Sequence, residues 1–330
     1  MVTRRRVVIA FGASALAAPL MAFAQQQGKV WRVGFLAQRH LDFVDTDYIY
    51  GPFRQAMREL GYVEGRNLVI EWRSAEGKAA RLPELAAELV RLKPDILVAV
   101  ATPAAHAAQK ATTSIPIVMM AMSDPVGDGL VKSLARPGGN STGLSNMNVE
   151  LAPKLLEMLR GMAPKVTRVA ILVNPSNSAN TAVLKIIQTA AQKVGAKIQP
   201  VEASTPQEIA NAFAVMARQN AGALILTRDQ FFTQQKNQIV ELAAKHRLPS
   251  IGGTGEYVEA GGLMSYGQNA RENYRRAAIY VDKTFKGANP GDIPVEQPTI
   301  FELFINRKTA NALGLKISNS MLVQATKVIE

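Results

Sequence analysis

Short apolar runs alternate with longer stretches in which apolar residues recur every three or four positions along most of this chain. The short runs suit buried parallel strands, and the longer stretches suit helices that cross from one strand to the next. The pattern predicts strands at 33–36, 68–72, 96–100 and 117–122, separated by helices at 48–60, 82–92 and 103–110. Gly61 stops the first helix, while Leu85, Leu89 and Leu92 mark the buried stripe of the second, which Pro94 ends. A second series follows Asn148, with helices at 151–159, 181–194, 205–219 and 233–246 and strands at 169–173, 198–201, 223–226 and 249–252. After Leu263-Met264-Ser265-Tyr266 come a helix at 272–285, closed by Gly287 and Pro290, an alternating extended segment at 296–305, and a last helix at 308–313. The class is α/β, and the second series repeats the architecture of the first without repeating its residues.

The N-terminus departs from this rhythm. Arg4, Arg5 and Arg6 lead into an apolar stretch from Val7 to Leu20 that ends at Ala22-Phe23-Ala24, before Gln25-Gln26-Gln27. A charged start, a short apolar centre and an A-x-A exit read as an export signal at 1–24, cleaved near Ala24, and too short to span a bilayer core of about 30 Å. Thr3-Arg4-Arg5 followed by Val7-Val8 also approximates a twin-arginine signal, so general secretion and export after folding are both open. The chain has no cysteine, which suits an oxidising compartment and leaves no lipid-bearing Cys after the signal. A soluble periplasmic protein is expected. The rest of the 330 residues exceeds what one core usually serves, so two lobes with a cleft between them are expected. Losing three signal arginines lowers the formal charge from +12 to +9, and the remaining basic residues are scattered among acids, which speaks against nucleic-acid binding.

Several phrases then line up in order: Ile115-Pro116-Ile117-Val118, Ser123-Asp124-Pro125-Val126-Gly127, Ala135-Arg136-Pro137-Gly138-Gly139-Asn140 and Thr142-Gly143. Gly261-Gly262-Leu263-Met264-Ser265-Tyr266-Gly267, Arg275-Arg276-Ala277-Ala278, Pro294-Val295-Glu296-Gln297-Pro298, Ile305-Asn306, Thr309-Ala310 and Leu313-Gly314-Leu315 continue the series. With them the chain resembles the tryptophan-type substrate-binding proteins of ABC transporters, which have the type I periplasmic-binding fold. The resemblance covers essentially everything after the signal. It implies two Rossmann-like lobes with parallel sheets, joined by a three-segment hinge near 145–148, 264–267 and 295–302. Lobe 1 would hold 29–146 and 267–294, and lobe 2 would hold 147–266 and 295–330.

In open parallel sheets ligands sit beyond the carboxyl ends of strands, so the residues that follow each strand are the candidates. The first lobe would contribute Gln38, Thr102, Ala104, Ser123 and Asp124, and the second Asn174, Asp229 and Thr254, with Asn146 and Tyr266 on the hinges. Thr102-Pro103-Ala104 opens a helix whose free N–H groups and dipole favour a carboxylate, and Asp229 would face an ammonium group. That pairing suits a free amino acid, and the resemblance points the same way. Plainer readings stay open: Thr102 and Ser123 as caps, Asp124 as an Asx turn before Pro125, Asn174-Pro175 as a turn, Asp229 as a surface ion pair with Arg228, and Tyr266 as hinge packing. Phe231 and Phe232 read as core or cleft-edge residues.

Nothing in the motifs reads as catalytic. His40, His106 and His246 lack metal-ligand spacing, and neither a nucleophile elbow nor a phosphate-binding loop is present, so no metal, cofactor or enzymatic activity is expected. The resemblance implies a monomeric periplasmic protein that captures an amino acid, or an aromatic amino-acid-like solute, by hinge closure and delivers it to an ABC permease in the inner membrane. A sensor that presents the bound solute to a signalling receptor is the alternative, and a secreted hydrolase acting through carboxylates such as Asp124 and Asp229 is a third. Asp42, Asp45 and Asp47, outside every matching phrase, would tune the mouth toward an amine-bearing solute.

Overall fold

The computed structural model describes residues 29–40 and 50–330. The export signal at 1–24 and the acidic loop with Asp42, Asp45 and Asp47 lie outside the described residues. The described residues form two sheets of mainly parallel strands, each covered on both faces by helices.

The first sheet contains β1 (Trp31–Ala37), β2 (Leu68–Ser74), β3 (Ile96–Val100), β4 (Ile117–Met122) and β5 (Ser141–Ser145), in spatial order β2-β1-β3-β4-β5 and parallel throughout. Alternation along the strands decides which core each side chain enters. Val33, Phe35, Val98 and Val118 pack under α1 (Gly51–Glu59) and the distant α10 (Ala270–Phe285), through Phe53, Met57, Tyr274, Ala277 and Val281. Leu36, Leu97, Ala99 and Met119 point the other way, onto Leu85 and Leu89 of α2 (Leu82–Arg91) and Ala104 and Ala108 of α3 (Ala101–Ala111).

The second sheet takes β6 (Arg168–Val173), β7 (Lys197–Glu202), β8 (Ala223–Leu226), β9 (Ser250–Gly252), β10 (Met264–Gln268), β11 (Phe301–Asn306) and β12 (Lys327–Ile329), in order β12-β11-β10-β9-β8-β6-β7. Only the β10–β11 pair is antiparallel among the described strands. Val169, Ile171 and Val173 meet Leu155, Leu156 and Leu159 of α4 (Asn148–Met162) and Val183 and Ile187 of α5 (Ala179–Lys193). Ala170 and Leu172 face Ile209 and Phe213 of α6 (Pro206–Arg218).

The chain passes between the sheets three times. After β5, Asn146 and Met147 turn into α4, with Met147 in a left-handed conformation at φ 54°. Asn269 follows β10 and caps α10 by accepting from the Glu272 amide, while its Nδ2 donates to Glu302 on β11. The return at 294–300 leaves Val295 in the first core and Glu296 bridged to Leu144, before β11 begins at Phe301. Gly267 and Gln268 belong to β10 and hence to the second sheet.

Two differences from the sequence reading have clear causes. The helix expected at 233–246 is broken at Gln235 into α7 (Gln230–Gln234) and α8 (Lys236–Lys245), because the Asp229 side chain caps the amides of Phe231 and Phe232 and starts a helical turn earlier. Strand β5, Ser-Thr-Gly-Leu-Ser, carries no apolar run, yet all five residues are buried beside β4. Gly143 makes that pairing possible. At φ +146° a Cβ there would lie 1.8 Å from the Met119 carbonyl oxygen.

Candidate functional site

The carboxyl ends of strands from both sheets converge on one cavity of about 310 Å³. Larger hollows exist, such as the roughly 1050 Å³ groove between α4 and α5, but that one is lined by helix side chains and no strand end. The first lobe's wall is Gln38 after β1, Ala101 and Thr102 after β3, and Ala121 and Ser123 at the end of β4, with Asn146 behind them at the hinge. The facing wall is Asn177 after β6 and the consecutive Arg228, Asp229 and Gln230 after β8. Two alanines on the first wall sit in the left-handed region, Ala101 at φ 70° and Ala121 at φ 55°, the latter at a register shift between β4 and β5. Strain of this kind gathers where a backbone must present its groups to a ligand.

Asp229 is held with care. It is 4% exposed, Asn174 Nδ2 donates to its Oδ1 at 3.1 Å, Asn177 Nδ2 donates to its Oδ2 at 2.8 Å, and the Phe231 amide donates to Oδ1 at 2.8 Å. Burial pushes its carboxyl above the usual range despite these hydrogen bonds, because neutral donors do not supply a countercharge. Among the described residues no cation pairs with it, which removes the surface ion pair with Arg228. Successive residues at the end of an extended strand point apart.

Arg228 is the complementary case. Its Nη1 donates to the Gly253 carbonyl at 3.4 Å, and no carboxylate lies within ion-pair distance of it among the described residues. Burial lowers it below the usual guanidinium range, partly offset by the attraction of Tyr274 and Glu256, and it stays charged. Across the cavity, α3 starts at Ala101, after Val100 as its cap residue, with no side chain capping its first turn, so its leading N–H groups are free to take an anion.

Five of the ten residues expected from the sequence line this cavity: Gln38, Thr102, Ser123, Asn146 and Asp229. Asn174 stands one layer back, as a donor to Asp229. The Thr102 hydroxyl is engaged, since it donates to Asp128 at 3.1 Å, and burial raises that carboxyl. Ala104 is fully buried against the first core. Asp124 accepts from the Gly127 amide at 2.8 Å, the Asx turn that its neighbouring Pro125 announces. Thr254 takes the cap position of α9 (Gly255–Glu259) without making a side-chain bond, and Tyr266 stacks on Phe301 along the β10–β11 ladder. Phe231 and Phe232 are buried in the second core.

Sequence reasoning did not single out Asn177, Arg228, Gln230 or the two strained alanines. Asn177 carries a signal in hindsight, because Asn174-Pro-Ser-Asn177 follows a strand and supplies two amides to one carboxylate. A further missed feature spans the two walls: Arg39, after β1, donates from Nη1 and Nη2 to Glu256 of α9 at 3.2 and 3.0 Å. Burial is the largest single influence and works against the charge on Arg39, but the combined attraction of Glu256, Tyr50 and Tyr274, with the Glu256 hydrogen bond, outweighs it and holds the guanidinium above its ordinary range. Lys236 lies 3.8 Å from the same carboxylate.

Among known proteins, the chain is 28% identical over 265 residues to the tyrosine-binding protein of Clostridioides difficile, spanning 80% of this chain and 76% of that one. A solved domain from Streptococcus pneumonia in complex with L-Trp superposes with a TM-score of 0.83 at 28% identity, over 91% of this chain and 99% of that one. The ligand-free, open structure of a substrate-binding protein from Clostridium difficile gives 0.63 at 26% identity, with the same shares covered. The ABC transporter substrate binding protein family matches residues 42–329, and the chain belongs to that family.

Proposed function

We propose that this protein captures an amino-acid-type solute between its two lobes and hands it, chemically intact, to a membrane permease. One observation carries the reading: a guanidinium and a buried carboxylate, Arg228 and Asp229, neither with an ion-pair partner among the described residues, line the same small interlobe cavity. An α-carboxylate would sit between Arg228 and the uncapped start of α3, and the α-ammonium group would complete the shell of Asp229. Each lobe then holds one end of the ligand, so the closed arrangement binds better than the open one, and that difference drives closure. The relatives named for tyrosine and solved with L-Trp support the amino-acid class. The better superposition on the L-Trp complex than on the open structure, at 28% against 26% identity and equal coverage, supports a closed arrangement here.

On this reading lobe 1 comprises 29–146 with 269–294 and lobe 2 the remainder of the described chain, Gly267 and Gln268 going with β10, and the lobes turn about the three crossovers. The protein works as an exported monomer beside its permease. Among the described residues no helix is long and apolar enough to cross a membrane. The test is isothermal titration calorimetry of the purified protein against the standard amino acids. One-to-one binding at micromolar affinity or tighter is expected for at least one of them, and lost in Arg228→Met and Asp229→Asn. Binding of none of them overturns the reading.

A further inference from the structure

We infer that Gly77 is a positioning residue for closure: the turn it occupies in the first lobe is a seat against which α7 of the second lobe comes to rest, and a residue without a side chain keeps that seat open. The inference rests on the proposed capture between the lobes and adds a contact that sets how far they close. The Lys78 amide donates to the Ala75 carbonyl at 2.8 Å, and the two residues between them, Glu76 at φ 52° and Gly77 at φ 83°, both have positive φ. That is the pattern of a type I′ turn, whose central positions favour glycine and asparagine. Two hydrogen bonds tie the turn to the ligand cavity: the Gly77 amide donates to the Gln38 carbonyl at 2.7 Å, and Gln38 Nε2 donates to the Gly77 carbonyl at 3.3 Å. Gln38 lines the cavity, so the turn and the first lobe's wall are held together.

From the other lobe, α7 meets this turn at contact distance. A Cβ placed on Gly77 would stand 3.2 Å from Gln234 Oε1 and 3.7 Å from Phe231 Cδ2. Gln234 Oε1 is itself buried, so the two surfaces exclude water where they touch. Gln230 and Gln234 are one helical turn apart and share a face of α7, so the face that lines the cavity at Gln230 is the face that rests on the turn at Gln234. The same helix is started by Asp229, whose Oδ1 accepts from the Phe231 amide at 2.8 Å. The carboxylate proposed for the ammonium group and the closure contact therefore belong to one short rigid element. Close-packed surfaces of this kind have no slack, so the first atom of a side chain at position 77 already crowds Gln234, and a longer side chain holds the lobes apart.

Gly77→Asn is the test, because asparagine accepts a left-handed backbone and preserves the turn while its carboxamide projects toward α7. Calorimetry against the standard amino acids should show the same preferred ligand, bound about tenfold or more weakly than by the unaltered protein, with the ligand-free melting temperature unchanged. Adding Gln234→Ala makes room and should bring the affinity back to within about threefold of the unaltered protein, a rescue that a general loss of stability would not give. Gln234→Trp puts the obstacle on the other lobe, leaves the turn untouched and should weaken binding to a similar degree, which keeps the inference testable if Gly77→Asn does not fold. Affinity within about twofold of the unaltered protein in either folded single variant overturns the inference and leaves capture standing, and so does a loss that Gln234→Ala does not relieve. Failure of the unaltered protein to bind any amino acid sinks the proposed function and this inference with it.

Discussion

The Arg39–Glu256 pair makes closure measurable. It joins a residue after β1 in one lobe to α9 in the other, through two N–H···O contacts at 3.2 and 3.0 Å, so it exists only when the lobes meet. The side chains are 8% and 12% exposed, which places the pair between a surface ion pair worth up to about 1 kcal/mol and a buried one whose breakage costs about 3–5 kcal/mol. Glu256→Gln leaves Arg39 enclosed with no carboxylate close by among the described residues, for a loss of about 2 kcal/mol of closed-state stability. Arg39→Gln is milder at about 1 kcal/mol, because Lys236 still stands 3.8 Å from Glu256. Lost closed-state stability appears as lost affinity when the open state dominates without ligand, so the dissociation constant should rise about 30-fold and about 5-fold, respectively. Most of the change should fall on the off-rate, because the pair forms after encounter. Calorimetry with the tightest binder of the amino-acid panel gives the constants, and stopped-flow release gives the rates. An affinity for Glu256→Gln within twofold of the unaltered protein, or a larger loss for Arg39→Gln than for Glu256→Gln, refutes the reasoning.

Acidification should weaken binding of an amine-bearing ligand. The raised carboxyl of Asp229 takes up its proton above the ordinary value of about 3.9, and a neutral Asp229 gives an ammonium group no charge to meet. Binding in that window should release protons, detectable as calorimetric heats that differ between buffers, and affinity independent of pH down to 4 would contradict the assignment. The same raised carboxyl makes the ligand-free fold hold an extra proton, so this group's contribution to stability rises as pH falls through its folded-state range. Thr205→Ala removes a capping box in which Thr205 accepts from the Glu208 amide while Glu208 accepts from Thr205, and should cost about 1 kcal/mol in urea denaturation with no change in ligand affinity. Gly143→Ala forces a Cβ onto the Met119 carbonyl at an unfavourable φ, and should cost at least about 3 kcal/mol; a melting temperature within a degree or two of the parent would show that β4 and β5 separate freely.

Much of the fold was legible because both sheets are buried on both faces. Runs such as Ile96–Val100 and Ile117–Met122 admit no other simple reading, and glycine and proline mark the ends of their helices. Strand β5 was not legible, since its burial comes from the approach of β4 and Glu296 to a nearly featureless Ser-Thr-Gly-Leu-Ser, and not from its own hydrophobicity. The site was half legible for a related reason. Strand ends can be listed from the sequence, which brought Gln38, Thr102, Ser123, Asn146 and Asp229 to one cavity, but which of two adjacent residues turns inward depends on local twist and capping. Asp229 showed this most clearly. Next to Arg228 it reads as half of an ion pair, yet the two Asn amides and the start of α7 turn it away from its neighbour and leave both charges open to the cleft. The Arg39–Glu256 contact lies 217 positions apart in the chain and leaves no local trace.

Native mass spectrometry of the purified protein with an equimolar amino-acid mixture tests the central claim most directly. Capture without chemistry predicts a one-to-one adduct whose added mass is that of an unmodified amino acid, released intact on denaturation and absent from Arg228→Met and Asp229→Asn. No adduct, or an added mass belonging to a converted product, would contradict it.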